Sequence, residues 1–249
     1  MTLKQALPTA LLALLLPTMG QAAPSTPTPK HTEEATMDKE RNLTQRQQAI
    51  IPIAYFAAAG DLAALDGALR TALDTGMTVN DGKEVLVQLY AYAGFPRSLN
   101  ALGTFMKVIQ ERRDQGIEDP LGDTPDSPIP TGKELLAQGT ANQTKLAGQP
   151  VTGPLFEFAP AADRYLKTHL FGDVFARDNL SWRDRELATI AMLAALQGAE
   201  PQLRAHMGMA MNAGLTESQL NNLTDVLARH VDPAGAARAR QALERHPGQ

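Results

Sequence analysis

The chain has 249 residues, a formal net charge of −4 at pH 7 and no cysteine, and only 5% of its residues are aromatic. The lack of cysteine excludes disulfide bonds and thiol redox chemistry. An acidic chain without a lysine and arginine cluster argues against nucleic-acid binding. Apolar residues recur at helical spacing with no sustained β-type alternation, so we predict an all-α fold. The five histidines form no HxxxH or HxH pair, and neither a metal nor a cofactor is predicted.

Residues 1–23 are predicted to be a signal peptide. Lys4 is the only charge, the apolar run 7–16 is too short to span a bilayer, and small residues suited to a signal peptidase close the segment. Residues 24–40 are rich in proline, threonine and charge, which predicts a disordered leader. Cleavage would take the net charge from −4 to −5. We expect a periplasmic or secreted protein that does not contact the membrane after cleavage.

Residues 41–111, termed copy one, are predicted to hold four helices with recognisable starts and stops. The predicted starts are Thr44, Asp61, Thr78 and Pro96, and the predicted stops are Gly60, Gly76 and Gly94. Pro52 within the first helix predicts a kink or a short first turn. Residues 112–130 carry four prolines and are predicted to be a linker.

Residues 131–246, termed copy two, begin with a predicted capping box at Thr131. A helix is expected from there to Leu146, and another over 160–175. Ser181 is a predicted N-cap for an apolar helix that ends near Gln197. The helix that follows is expected to stop at Gly214.

The residues that mark helix starts in copy one recur at matching positions in copy two. Thr44 and Ser181 are 137 residues apart, as are Pro96 and Pro233, whereas Thr78 and Thr216 are 138 apart. Each copy therefore reads as three helices, then a proline and a fourth helix. A duplicated helical unit of this kind is expected to pack as a pseudo-twofold pair.

The segments 171–187 (FGDVFARDNLSWRDREL), 203–216 (LRAHMGMAMNAGLT) and 84–102 (EVLVQLYAYAGFPRSLNAL) resemble the carboxymuconolactone decarboxylase family. The resemblance covers roughly 43–109 and 131–243 and is to members with two copies in one chain. It implies an all-helical homo-oligomer, with a trimer of double units as the expected assembly. One branch of the family decarboxylates a carboxylated muconolactone without metal or organic cofactor.

The other branch is a thiol peroxidase with a CxxC motif. The resemblance places those two cysteines at Ala199 and Gln202, so thiol peroxidase chemistry is excluded here. It places the histidine and the upstream glutamate of that branch at His206 and Glu186. An acid/base pair is one interpretation of these two residues. The other is a histidine held by a carboxylate at the edge of the core.

The two copies differ at these positions. Copy one has Ala49 opposite Glu186, and either Ala68 or Leu69 opposite His206. Copy two has Asn221 or Asn222 where copy one has Glu84. We therefore predict one composite site per chain, in which Glu84 is a second acid/base beside His206 and Glu186. The alternative is that both copies have lost the ancestral site residues by drift, and that Glu84 is only a solvated residue at the start of a helix.

Four further residues are predicted to bind substrate: Arg177, Arg185, Tyr92 and Gln202. A guanidinium group suits a substrate carboxylate. Pairing with Asp178, Asp184 and Glu186 is the alternative, and it is our expectation for Arg183. Tyr92 could instead pack in the core. Gln88 stands where decarboxylases of this family tend to carry a histidine.

Two functions remain open at this point. The first is a cofactor-free acid/base enzyme, a decarboxylase or related lyase or isomerase, acting on a small lactone, organic acid or ring compound. The second is a non-enzymatic exported helical oligomer that binds a small ligand or a partner. The absence of cysteine and the predicted signal peptide favour the second, because aromatic breakdown of the first kind is normally cytoplasmic.

Overall fold

A computed structural model describes residues 42–245, and the predicted signal peptide and leader lie outside them. The described part is helical and contains no strand, which confirms the all-α fold. Its helices are α1 Gln45–Ala59, α2 Leu62–Asp74, α3 Val79–Gln88, α4 Tyr90–Asp114, α5 Gly132–Ala147, α6 Pro154–Phe158, α7 Pro160–Tyr165, a π-helix Leu166–Val174, α8 Trp182–Ala195, α9 Glu200–Asn212, α10 Glu217–His230 and α11 Pro233–Glu244. No helix within 42–245 has the length and apolar character needed to cross a membrane.

Most predicted helix starts are formed by the expected side chains. Thr44, Thr78 and Thr216 each close a full capping box with the residue three positions on. The Ser181 hydroxyl accepts the backbone N–H of Asp184, which fixes the start of α8. These caps satisfy backbone donors that a first helical turn leaves unpaired.

Other boundaries differ from the prediction. The Thr131 side chain makes no capping hydrogen bond, so the capping box predicted there is wrong. The helix predicted to end at Gly94 ends at Gln88, and Gly94 instead breaks α4 with φ 82°. The helix resumes after that break at Pro96, two residues beyond Gly94. Pro52 lies inside α1, which continues on both sides of it.

The single helix predicted over 160–175 is α7 followed by the π-helix. Gly139 of α5 explains the close approach of these elements, because a Cβ there would lie 1.8 Å from the Lys167 carbonyl oxygen. The short helix α6 was not predicted. It begins at Pro154, which sits in the first turn where its missing N–H costs little.

The two copies form a pseudo-twofold pair, with α1–α4 matching α8–α11. Their central helices α1 and α8 pack against each other within one shared hydrophobic core. The Arg46–Asp81 ion pair, 2.6 Å, recurs as a 3.0 Å hydrogen bond from Arg183 to Gln219 at offsets of 137 and 138 residues. Arg183 thus bonds to an amide of copy two and not to the acidic residues predicted for it.

A smaller hydrophobic cluster lies where the π-helix meets α5, and it includes Phe171 and Phe175. The Trp182 indole N–H donates to the Phe175 carbonyl at 2.9 Å, which ties this cluster to the start of α8. The intervening turn is held by the linker, since Asp178 accepts the backbone N–H groups of residues 126 and 127 at 2.9 and 3.0 Å. That turn carries Arg177.

Candidate active site

The centre of the candidate site is a histidine–carboxylate pair between α8 and α9. Nδ1 of His206 lies 2.8 Å from Oε2 of Glu186. Glu186 is fully buried, whereas 9% of the His206 side chain is exposed. The other carboxylate oxygen, Oε1, is buried without a hydrogen-bond partner in residues 42–245. A buried carboxylate that orients a slightly exposed histidine is an arrangement suited to proton transfer.

Copy one contributes Glu84, which meets two arginines of copy two. Arg177 contacts both carboxylate oxygens, with its shortest distance at 2.6 Å, and Arg185 donates at 2.9 Å. Burial acts to raise the pKa of Glu84, but the hydrogen bonds from Arg177 and then Arg185 outweigh it and lower the pKa. A carboxylate held ionised by two guanidinium groups is a poor proton donor. This geometry favours a charge-pairing role over the acid/base role predicted for Glu84.

Arg185 is fully buried and is held from three sides. Besides Glu84, it donates to the Arg177 carbonyl at 2.9 Å and to the Gln88 side-chain oxygen at 3.3 Å. Burial lowers the pKa of Arg185, and the hydrogen bond that Arg185 donates to Glu84 opposes that effect. No part of this side chain reaches solvent. It can therefore position the site, but it cannot meet a substrate directly in this conformation.

A hydrogen-bonded chain joins this ion-pair group to the histidine. Gln88 donates to the Thr189 hydroxyl at 2.8 Å, and Thr189 donates to the Tyr92 hydroxyl at 3.1 Å. The Tyr92 ring then meets the His206 ring edge to face, with 5.7 Å between centroids. Burial is the main cause that raises the pKa of Tyr92 well above 10, and the negative charge of Glu186 is the second. Tyr92 is therefore a neutral hydroxyl beside the histidine at physiological pH.

Six of the seven predicted site residues are thus brought together, across the boundary between the copies. The seventh, Gln202, is exposed one helical turn before His206. Gln88 and Thr189 also belong to the cluster and were not predicted as site residues. Their spacing carried a signal, since each lies four residues after a charged member on the same helix face, Glu84 or Arg185.

The sequence profile of the carboxymuconolactone decarboxylase family matches residues 28–105 and 160–245. The second segment lies within copy two, and the first covers most of copy one together with residues 28–40 of the predicted leader. The chain belongs to the carboxymuconolactone decarboxylase family. It is also similar to the 4-carboxymuconolactone decarboxylase of Acinetobacter baylyi, with 31% identity over 95 residues, which are 36% of this chain and 70% of that protein.

In this member of the family, the charges of the site balance internally. Arg177 and Arg185 offset Glu84 and Glu186 when His206 is neutral, so protonation of the histidine leaves one net positive charge. Within the described residues, no group of histidine, aspartate and glutamate side chains is arranged to hold a metal ion. The site can therefore offer an oriented imidazole, a neutral phenol and the part-exposed guanidinium group of Arg177.

Proposed function

We propose that the protein is an acid/base lyase of the decarboxylase type, acting on a small lactone or ring compound that bears a carboxylate. The observation that carries the proposal is the 2.8 Å contact between His206 Nδ1 and the buried Glu186 carboxylate. Membership of the decarboxylase family and the similarity to a 4-carboxymuconolactone decarboxylase support the reaction class.

His206 would exchange the proton. Because Nδ1 faces Glu186, the other ring nitrogen, Nε2, is the atom that can serve a substrate. In a decarboxylation, the carbon–carbon bond to the carboxylate breaks, carbon dioxide leaves, and the electron pair passes into the unsaturated ring system. Imidazolium Nε2–H then protonates that system, and the histidine regains its proton from solvent. Positioned proton transfer of this kind contributes about 10²–10⁴-fold in rate.

The two arginines would have different tasks. The Arg177 side chain is 34% exposed, so it can leave part of its bidentate contact with Glu84 and meet a substrate carboxylate. Arg185 is sealed and would keep Glu84 and Gln88 in place. Tyr92, as a neutral hydroxyl, would orient the substrate oxygen. Gln202 would line the mouth of the site, because it precedes His206 by one turn on α9.

We also propose a homo-oligomer, with the trimer of double units as the first assembly to test. Supporting it, Phe95, Leu99 and Met106 are 60%, 61% and 73% exposed on α4. Large apolar side chains at this exposure are typical of a surface that meets another protein. Light scattering of the purified protein would measure the assembly. Export through the predicted signal peptide remains a proposal that N-terminal sequencing of the mature protein would test.

The direct test is turnover of 4-carboxymuconolactone by the purified mature protein. We expect His206→Gln and Glu186→Gln to lower kcat by about 10²–10⁴-fold. The matched control is His169→Gln, since the His169 ring packs edge to face on Tyr165 of the preceding helix, whereas the His206 ring packs on Tyr92. Glu84→Gln is expected to lower turnover without moving the pH profile, because Glu84 positions Arg185 and exchanges no proton.

A second candidate function is ligand binding without catalysis. It is favoured by the low exposure of the pair, since only 9% of the His206 side chain is exposed and Glu186 is fully buried. No turnover by a folded wild-type protein, together with folded His206 variants, would discard the named substrate and support this alternative. Full activity in His206→Gln would discard the acid/base proposal for any substrate that is turned over.

A further inference from the structure

A pocket of about 510 Å³, termed the copy-one pocket, lies between α1 and α2 of copy one and the end of α10 of copy two. It is lined by Ala49, Pro52 and Phe56 of α1, by Gly67 and Ala68 of α2, and by His230, the last residue of α10. The walls come from three helices of the folded core and not from loops. Such a pocket is preformed, and its volume lies within the range of small-molecule sites.

This pocket is the pseudo-twofold counterpart of the candidate active site. Ala49 corresponds to Glu186 at the 137-residue offset, and Ala68 corresponds to His206 at the 138-residue offset. The structure settles the alternative between Ala68 and Leu69, because Ala68 lines the pocket whereas Leu69 is buried in the core. The empty volume is therefore the space that an acid/base pair fills in copy two.

The positions around this pocket also lack the charged side chains that surround the candidate active site. Val226 stands where copy one has Gln88, and Gln48 stands where copy two has Arg185. The counterpart of Glu84 is Asn222, whose side-chain oxygen accepts the backbone N–H of Leu43 at 3.1 Å. No aspartate, glutamate, lysine or arginine lines this pocket among the described residues.

The remaining polar groups are mostly engaged within the protein. The hydroxyls of Thr71 and Thr75 donate to carbonyls of their own helix at 3.0 Å. The Gln48 amide donates to the Leu43 carbonyl at 2.8 Å. His230 is exposed at the rim, where its ring can make one hydrogen bond to a ligand. A charged ligand would lose its hydration here without gaining an ion pair.

We infer that this copy-one pocket is a binding site for an uncharged, mainly apolar small molecule, held by α1 and α2 with neutral polar contacts at the rim from His230 and Gln45. The inference does not rest on the proposed function, because it follows from the side chains that copy one lacks. The two sites of one chain would then have opposite preferences: the copy-two site for a carboxylate, and the copy-one pocket for a neutral ring compound.

The test is a fluorescence titration of the full mature protein with N-phenyl-1-naphthylamine, an uncharged apolar probe. We expect a saturable rise in fluorescence that Gly67→Leu weakens at least tenfold. Gly67 lines the pocket, and a Cβ added there meets no atom within 4 Å, so the substitution adds bulk at the pocket wall without a backbone clash. Gly103→Leu is the matched control, since it is equally open on α4 and lies outside the pocket.

Two further measurements show where the probe binds and whether the pocket prefers an uncharged ligand. His206→Gln should leave binding unchanged, whereas a loss would place the probe in the copy-two site and overturn the inference. An anionic analogue, 1-anilinonaphthalene-8-sulfonate, should compete at least tenfold more weakly. Equal competition, equal binding by Gly67→Leu, or no binding by the folded wild type would each overturn it. Circular dichroism confirms that the variants are folded.

Discussion

Arg185 of copy two donates to Glu84 of copy one at 2.9 Å, with no exposure of the arginine side chain. The bond joins two parts of the chain that are 101 residues apart. It therefore ties the assembly of the candidate site to the docking of the two copies. A site built in this way cannot form in either copy alone.

Glu84→Ala should destabilise the protein by about 3–5 kcal/mol, because it leaves the buried Arg185 guanidinium without its carboxylate. Urea unfolding measures the loss. Asn222→Ala is the matched control at the counterpart position, where a single hydrogen bond from Leu43 N is lost and about 1 kcal/mol is expected. Equal effects of the two variants would show that the Glu84 ion pair adds nothing to the docking of the copies.

The Glu84 ion pair should also make stability depend on pH. The folded-state pKa of Glu84 lies below its ordinary value of 4.5, so the unfolded chain binds this proton more tightly. Its contribution is complete above pH 4.5 and is lost as the pH falls through the lower folded-state pKa. The difference in unfolding free energy between the wild type and Glu84→Gln should therefore shrink below pH 4.5. A difference that stays constant from pH 7 to pH 3 would contradict the lowered pKa.

The sequence predicted most helix starts correctly, because a helix start is decided by nearby side chains. The caps at Thr44, Thr78 and Ser181 depend on side chains within three residues, and their positions revealed the repeat. The composite arrangement around His206 could be inferred because losses in one copy matched retained residues in the other. The roles of Glu84 and Arg185 could not, because a buried ion pair and a catalytic carboxylate use the same residue types.

The π-helix was missed for a related reason. Its one-face apolar pattern resembles that of an α-helix, and only the packing against α5 distinguishes them. Gly139 was the relevant residue, but a glycine within a helical pattern does not by itself say what approaches it. The backbone contact with Lys167 is visible only in three dimensions.

Gly139→Ala tests that contact. The added Cβ would lie 1.8 Å from the Lys167 carbonyl oxygen, so α5 and the π-helix must separate, at a cost of about 1–3 kcal/mol. Gly103→Ala is the control, because its Cβ is unobstructed and alanine favours a helix by about 0.5–1 kcal/mol. Thermal unfolding should move in opposite directions for the two variants. A stabilised Gly139→Ala protein would mean that the two helices do not pack this closely.

The counterpart relation between the two sites can be tested by rebuilding the lost pair in copy one. Ala49→Glu alone places a carboxylate beside an apolar pocket and should destabilise the protein. Adding Ala68→His gives it the partner that Glu186 has in His206, so the double variant should be more stable than the sum of the single changes by about 0.5–3 kcal/mol. The same double variant should lose N-phenyl-1-naphthylamine binding, because both new side chains occupy the 510 Å³ pocket. Strict additivity in the unfolding free energies would show that positions 49 and 68 do not face each other as Glu186 and His206 do.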